Sequence, residues 1–255
     1  MKLPFQNLPE GKKIYFISDF HLGVPDAASS LEREKKIVRW LSMVEKDAAA
    51  IFLMGDIFDF WFEFKYVIPK GFVRLQGKLA ELTDKGLPIY WFTGNHDMWI
   101  FDYFTKELNI TIVRDPAVLA LNGKKLYIGH GDGLGPGDYF YKFIKKVFRN
   151  RFFQEWFRIT PPAIGIGIAQ YWSRHSRISG IKKEQYLHDK EWLLIYSKEQ
   201  EKIAHHDYYI FGHRHLPLNL EVNSESRYIN LGEWINFYTY AVFDGEQVSL
   251  LEYNS

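Results

Sequence analysis

Ile89-Tyr90-Trp91-Phe92-Thr93-Gly94-Asn95-His96-Asp97 is an apolar run that stops at a glycine and passes at once into an amide, an imidazole and a carboxylate. A short run rich in aromatic and β-branched residues reads as a buried strand. The glycine behind it suits a tight turn or a close backbone approach. The pattern recurs along the chain. Lys12–Ser18 runs into Asp19-Phe20-His21, Ala50–Met54 into Gly55-Asp56, Lys125–Ile128 into Gly129-His130, and Tyr208–Phe211 into Gly212-His213-Arg214-His215. In α/β sheets, loops at the carboxyl ends of strands converge on one crevice. The sequence therefore predicts that Asp19, His21, Asp56, Asn95, His130, His213 and His215 meet in one place.

Between these strands the spacing turns helical. In Ser30–Lys46, Leu31, Ile37, Leu41 and Val44 can share a face. Gly71–Lys85 reads as a helix stopped by Gly86-Leu87-Pro88, and Trp99–Leu108 as a short helix. Val118–Leu121 and Lys125–Ile128 flank Asn122-Gly123, a favoured hairpin turn. Tyr139–Lys202 is mainly helical, with breaks at Pro161-Pro162 and around Ser179-Gly180, and Leu218–Tyr253 is strand-rich. The order is βαβαβ, then a hairpin, a helical insert and further strands: a layered α/β core over 1–138 and 203–255, interrupted by a helical lid over 139–202.

The composition narrows the chemistry. The 255 residues are 47% hydrophobic, enough for a sizeable core, and contain no cysteine, so disulfides, thiolate metal sites and a cysteine nucleophile are excluded. Met1–Lys13 lacks the apolar segment of a signal peptide, and no apolar run reaches membrane-spanning length. A soluble, cytoplasmic chain is expected. The net charge of +1 conceals a split: Tyr139–Lys183 holds ten Lys/Arg against Glu155 alone, which leaves the remainder at −8. The same segment has eleven aromatic residues. Such a basic, aromatic stretch is a core-packed helical pair with a solvated face, a grip on nucleic acid, a face for an anionic membrane, or a site for a substrate with both a phosphate and a greasy part.

The ligand types fit two metals. Carboxylate, imidazole and amide oxygen without thiolate suit Mn, Fe or Zn. In extended chain, Asp-x-His and His-x-His pairs point both side chains to one face, and a carboxylate such as Asp56 can bridge two ions. A two-metal site produces hydroxide at neutral pH and stabilises an in-line displacement at phosphorus. His188, His205 and His206 read as surface or helix-end residues, and His175 is left unassigned.

These five blocks resemble the signature of the calcineurin-like metallophosphoesterases: D-x-H, G-D-x-x-D, G-N-H-[DE], G-H and G-H-x-H. They stand here, in order, as Asp19-Phe20-His21, Gly55-Asp56-Ile57-Phe58-Asp59, Gly94-Asn95-His96-Asp97, Gly129-His130 and Gly212-His213-Arg214-His215. The resemblance implies a four-layer α/β/β/α sandwich. It implies one metal on Asp19, His21, Asp56 and His215, and another on Asp56, Asn95, His130 and His213, with Mn as the family metal and Fe or Zn as alternatives. It also implies that Asn95 and His96 act on the reacting phosphate, His96 at the leaving group, that Asp97 orients His96, and that Asp59 supports the ligands.

A closer resemblance rests on His130-Gly131-Asp132, the basic-aromatic insert, Ser176-Arg177 and Gly212-His213-Arg214-His215. These are similar to the UDP-2,3-diacylglucosamine diphosphatases of lipid A synthesis, in which a helical lid shelters acyl chains while the diphosphate is cleaved to UMP and 2,3-diacylglucosamine 1-phosphate. The best-known branch carries Arg where this chain has His96. The resemblance implies a nucleotide-linked acylated sugar as substrate and Arg174, Ser176 and Arg177 as its phosphate or sugar contacts. It further implies peripheral contact with the cytoplasmic face of a bacterial inner membrane and no stable nucleic-acid partner. The alternative is a metallophosphoesterase for another nucleotide, nucleic-acid or lipid-linked phosphoester.

Overall fold

A computed structural model describes residues 1, 3–137, 139–165, 167 and 186–254. Its strands form two sheets. In the first, β1 (Lys13–Ile17), β2 (Ala48–Leu53), β3 (Ile89–Phe92) and β4 (Thr111–Val113) run parallel. On the far side of β1 lie the antiparallel β10 (Thr239–Phe243) and β11 (Val248–Glu252), giving the order β11-β10-β1-β2-β3-β4. The second sheet has the order β5-β6-β7-β9-β8. Here β6 (Lys124–Gly129), β7 (Tyr208–Phe211) and β9 (Arg227–Leu231) are parallel, with β5 (Ala117–Leu121) and β8 (Pro217–Glu221) antiparallel at the edges.

Side-chain alternation sorts the layers. On β1, Ile14 and Phe16 meet Ile128, Ile210 and Ile229 of the second sheet, while Tyr15 and Ile17 face the helices. Phe52 stacks between Phe16 and Tyr90, with ring centroids 5.0 and 4.9 Å apart. Such pairs add about 0.5–1.5 kcal/mol beyond their buried area. The outer face of the first sheet is covered by α1 (Ala27–Val44), α2 (Val73–Asp84) and α3 (Tyr103–Leu108). The four-layer α/β/β/α expectation is met.

Its fourth layer comes from an unexpected place. Leu193 and Leu194 of α6 (Trp192–Ile203) pack with Tyr209, Phe211 and Tyr228 on the outer face of the second sheet. The segment assigned to the lid over 139–202 therefore divides, and its last helix is core, because its apolar positions find an otherwise bare sheet face. The helices α4 (Tyr139–Phe148) and α5 (Arg151–Arg158) stand apart from that layer and are separated at Asn150, which caps α5.

Helix starts also depart from the sequence reading because caps fix them, local for α1 and remote for α2 and α3. Asp26 accepts from the backbone N–H groups of Ala28 and Ser29, both at 2.9 Å, so α1 begins at Ala27. The α2 amides of Arg74 and Leu75 are capped by Glu34 of α1, at 2.8 and 3.0 Å. The amides of Asp102 and Tyr103 donate to Glu63, at 2.8 and 3.1 Å, so α3 starts at Tyr103, and Trp99 instead bridges Phe62.

Candidate metal centre

All five ligand-bearing loops leave the carboxyl ends of parallel strands: β1, β2 and β3 from one sheet, β6 and β7 from the other. The loops are laced together by backbone hydrogen bonds. Asp19 N–H donates to Gly55 O, His21 N–H to Asp56 O and Leu22 N–H to Ile57 O, each at 3.0 Å, and Asp59 N–H returns to Leu22 O at 2.9 Å. Asp19, His21, Asp56, His213 and His215 all have left-handed backbones, with φ of 55°, 45°, 54°, 65° and 58°. That conformation is unfavourable for residues with a Cβ and persists where surrounding bonds fix it. Two glycines are required by space. A Cβ on Gly94 would lie 2.2 Å from Asp56 Oδ1, and one on Gly212 would lie 2.5 Å from Asp19 Oδ2.

The predicted ligands meet. Ligand atoms of Asp19, His21, Asp56 and His215 lie within 4.8 Å of one another, as do those of Asp56, His130 and His213. Asp56 belongs to both groups. Asn95 Oδ1 sits 3.3 Å from His130 Nε2. A third group, His21, Asp59 and His96, adjoins the first. Asp19 Oδ1 and Asp56 Oδ2 are buried and accept no hydrogen bond. A buried carboxylate oxygen without a donor is costly. Each faces ring nitrogens instead: His215 Nε2 is 3.2 Å from Asp19 Oδ1, and His130 Nε2 is 3.3 Å from Asp56 Oδ2. A hard or borderline divalent cation satisfies such oxygens, so the donor set fits a metal pair.

Ring orientation follows from partners around the ligands. His130 Nδ1 lies 2.8 Å from Met54 O. A carbonyl only accepts, so Nδ1 carries the proton and Nε2 keeps its lone pair for a metal. His96 Nδ1 lies 2.8 Å from the carbonyl of Asp59, which fixes that ring the same way. Asp97, expected to orient His96, does something else. It accepts from Gly94 N–H at 2.7 Å, Ile57 N–H at 3.0 Å and Trp91 Nε1 at 3.3 Å, tying the β2 and β3 loops together, and the orienting role falls to Asp59.

The electrostatics match a cation site. Burial opposes ionisation of Asp19, but the adjacent His21 and His215 rings prevail and hold the carboxyl far below its usual range. Asp56, also penalised by burial, is held well down by the charges of His130 and His96. Burial draws His130 down, yet the Asp56 carboxylate pushes it up to about 10. His21 falls to about 3 and His213 to about 4, chiefly through burial. Asp97 rises to about 7 through burial and the neighbouring Asp56 charge. The buried carboxylates take a compensating cation, and without a metal protons on His130 and His215 supply it.

Arg174, Ser176, Arg177 and His175 lie outside the described residues. His188 and His205 are exposed as expected, whereas His206 is buried against Tyr209 and Tyr127. Asp132, which the sequence marks only as part of His130-Gly131-Asp132, has a structural role. Its carboxylate accepts from Tyr141 and Lys145 of α4, each at 2.6 Å, two residues from His130. The acid in His130-Gly131-Asp132 and the basic spacing of α4 were visible, but nothing local paired them.

Fold and ligand set together place this chain among the metal-dependent phosphoester hydrolases. Residues 12–219 match the calcineurin-like phosphoesterase family, and the chain belongs to it. It is 39% identical to a UDP-2,3-diacylglucosamine hydrolase of Porphyromonas gingivalis, over 93% of this chain and 96% of that protein. Proteins of the same name from Pectobacterium carotovorum and Neisseria meningitidis serogroup A are each 29% identical, over 86% and 89% of this chain and 90% and 92% of their own lengths.

Proposed function

We propose that the protein hydrolyses UDP-2,3-diacylglucosamine to 2,3-diacylglucosamine 1-phosphate and UMP. The observation that carries the chemistry is the pair of buried ligand groups sharing Asp56. The substrate reading is supported by the 39% identical relative, whose length matches this chain almost throughout. Asp19, His21, Asp56 and His215 would hold one divalent ion, and Asp56, Asn95, His130 and His213 the other, Mn being the family expectation. Such a pair supplies hydroxide at neutral pH and offsets the charge of in-line displacement at phosphorus.

The chain's own groups supply the rest. His96, with Nδ1 donating to the Asp59 carbonyl, would present Nε2 to the phosphate, and a proton carried on Nε2 would pass to the leaving oxygen. The Asp59 carboxylate lies 3.5 Å from His96 Nδ1. The insert would take the acylated sugar: Tyr139, Phe143, Phe152 and Trp156 expose large apolar surfaces on α4 and α5 beside Lys142, Lys146, Arg149 and Arg151. Arg174, Ser176 and Arg177 are our candidates for the phosphate or sugar. No helix among the described residues is long and apolar enough to cross a membrane. Contact with the cytoplasmic face of the inner membrane would be peripheral, through this basic-aromatic surface, with no stable nucleic-acid partner.

The test is hydrolysis of UDP-2,3-diacylglucosamine by Mn-loaded protein in detergent, with Asp56→Ala as control and bis-p-nitrophenyl phosphate run alongside. Release of UMP by the parent alone supports the reading. Cleavage of the generic diester without lipid turnover would leave a two-metal phosphoesterase for another nucleotide, nucleic-acid or lipid-linked ester. Steep salt dependence on DNA or RNA would then mark a nuclease.

A further inference from the structure

Arg214 stands between two predicted ligands, His213 and His215, in the loop after β7. Its side chain is buried and pairs with Glu191. Arg214 Nε donates to Glu191 Oε2 and Nη2 to Glu191 Oε1, each at 3.0 Å, and the two side chains are 1% and 0% exposed. The guanidinium lies 5.0 Å over the ring of Trp192. Glu191 is the residue before α6, yet its carboxylate does not cap that helix. It turns to Arg214, and Oε1 also accepts from Leu187 N–H at 2.8 Å.

The neighbouring packing has the same direction. A Cβ on Gly131 would lie 3.1 Å from Leu193 Cδ1, and one on Gly135 would lie 2.6 Å from Trp192 O. The start of α6 is therefore pressed against the loop after His130 while Glu191 grips the loop carrying His213 and His215. Those two histidines both hold left-handed backbones, and Arg214 N–H closes a tight turn on Gly212 O at 2.7 Å. A loop bent this way keeps its geometry only if it is fixed from several sides. Asp19 fixes it from β1 by accepting His213 N–H at 3.0 Å, Asn230 from β9 by donating to Gly212 O, and Glu191 from α6.

We propose that Glu191 is a positioning residue for the metal centre, acting through the buried Arg214 fork to fix where His213 and His215 point. The inference rests on the two-metal reading above and is independent of which ester is cleaved. A planar bidentate pair restricts rotation as well as distance, which a lone contact does not. Residues that orient metal ligands typically alter affinity or activity by about 10–100-fold when changed.

The test compares parent and Glu191→Gln protein. Gln keeps size and one acceptor but removes the charge and one arm of the fork. Mn affinity is read by calorimetric titration, melting is followed with and without Mn, and kcat and KM for bis-p-nitrophenyl phosphate are measured across Mn concentrations. The expected result is an Mn affinity about tenfold weaker. Activity should be recovered at high Mn with KM for the diester unchanged, and the melting loss should be larger in the Mn-loaded than in the metal-free protein. Parental Mn affinity, or equal melting losses in both forms, would show a role in the core alone and overturn the proposal. If Glu191→Gln does not fold, Glu191→Asp, which keeps the charge and shortens the reach, is judged by the same readings. A parent that turns over the diester but not the lipid removes only the substrate reading. A parent that binds no Mn removes the two-metal reading and this inference with it.

Discussion

The strand-end loops and the α4–α5 insert are built in opposite ways. The loops are laced together by backbone hydrogen bonds, five residues hold unfavourable backbones, and Asp19 and Asp56 are buried at 0% and 1% exposure. The insert has no fully buried residue on α5, and Phe152 and Trp156 are 74% and 62% exposed. It is tied down at a few points: Asp132 with Tyr141 and Lys145, Trp99 Nε1 to Phe148 O at 3.0 Å, and the Phe157 ring on Phe62 at 4.7 Å. The lesson is a division of labour. The loops are over-determined so that charge is placed before the reaction begins. The insert keeps apolar and basic surface available, as the proposed acylated, charged substrate would need.

The largest expected effect tests the rigid half. Asp56→Ala removes the shared carboxylate and should lower kcat on the order of 10³-fold or more, with loss of bound Mn by elemental analysis. Retained metal and activity would break the assignment. His96→Gln should cost about 10²-fold in kcat while Mn content stays parental, since His96 serves the leaving group in the proposed scheme. A loss of metal instead would make it a ligand.

The insert should respond differently. Lys145→Met cuts the Asp132 tether, 2.6 Å long. KM for the acylated substrate should rise about tenfold, equivalent to about 1.4 kcal/mol, with the generic diester barely affected. Equal losses on both substrates would mean that the tether supports the metal site rather than the lid. Trp156→Ser should shift stability by less than about 0.5 kcal/mol because the ring is exposed. It should nonetheless reduce retention on anionic vesicles in a flotation assay, and undiminished retention would remove that ring from the membrane face.

A pH series sharpens the same contrast. In metal-free protein His130 has a pKa of about 10, above its unfolded value, so its contribution is complete below about 6.5 and is lost as pH rises through 10. His21 and His213, at about 3 and 4, act in the other direction: their neutral burial disfavours folding as pH falls from about 6.5 toward those values. Chelated protein should therefore lose stability on the alkaline side, while Mn-loaded protein, with a metal in place of the His130 proton, should not. Identical alkaline melting profiles with and without Mn would sink this account.

By itself, the sequence determined the ligand types, their order and the strands they follow, while the four-layer class came from the family resemblance those blocks carry. The reason is local: an apolar run and a polar cluster lie within a few residues, so each ligand follows a strand end. The extended backbone expected of the Asp-x-His and His-x-His pairs is not found, because Asp19, His21, His213 and His215 turn out of the strands with left-handed backbones. Tertiary structure decided what no local pattern encodes. Asp97 crosslinks loops because Ile57, 40 residues away, presents its amide. The caps of α2 and α3 come from Glu34 and Glu63. The helix α6 joins the core because the outer face of the second sheet exposes Tyr209, Phe211 and Tyr228 to it. Glu191 meets Arg214 only because packing brings together positions 23 residues apart. Such pairings are fixed by burial, which leaves a charge or an amide no partner but the one the fold delivers.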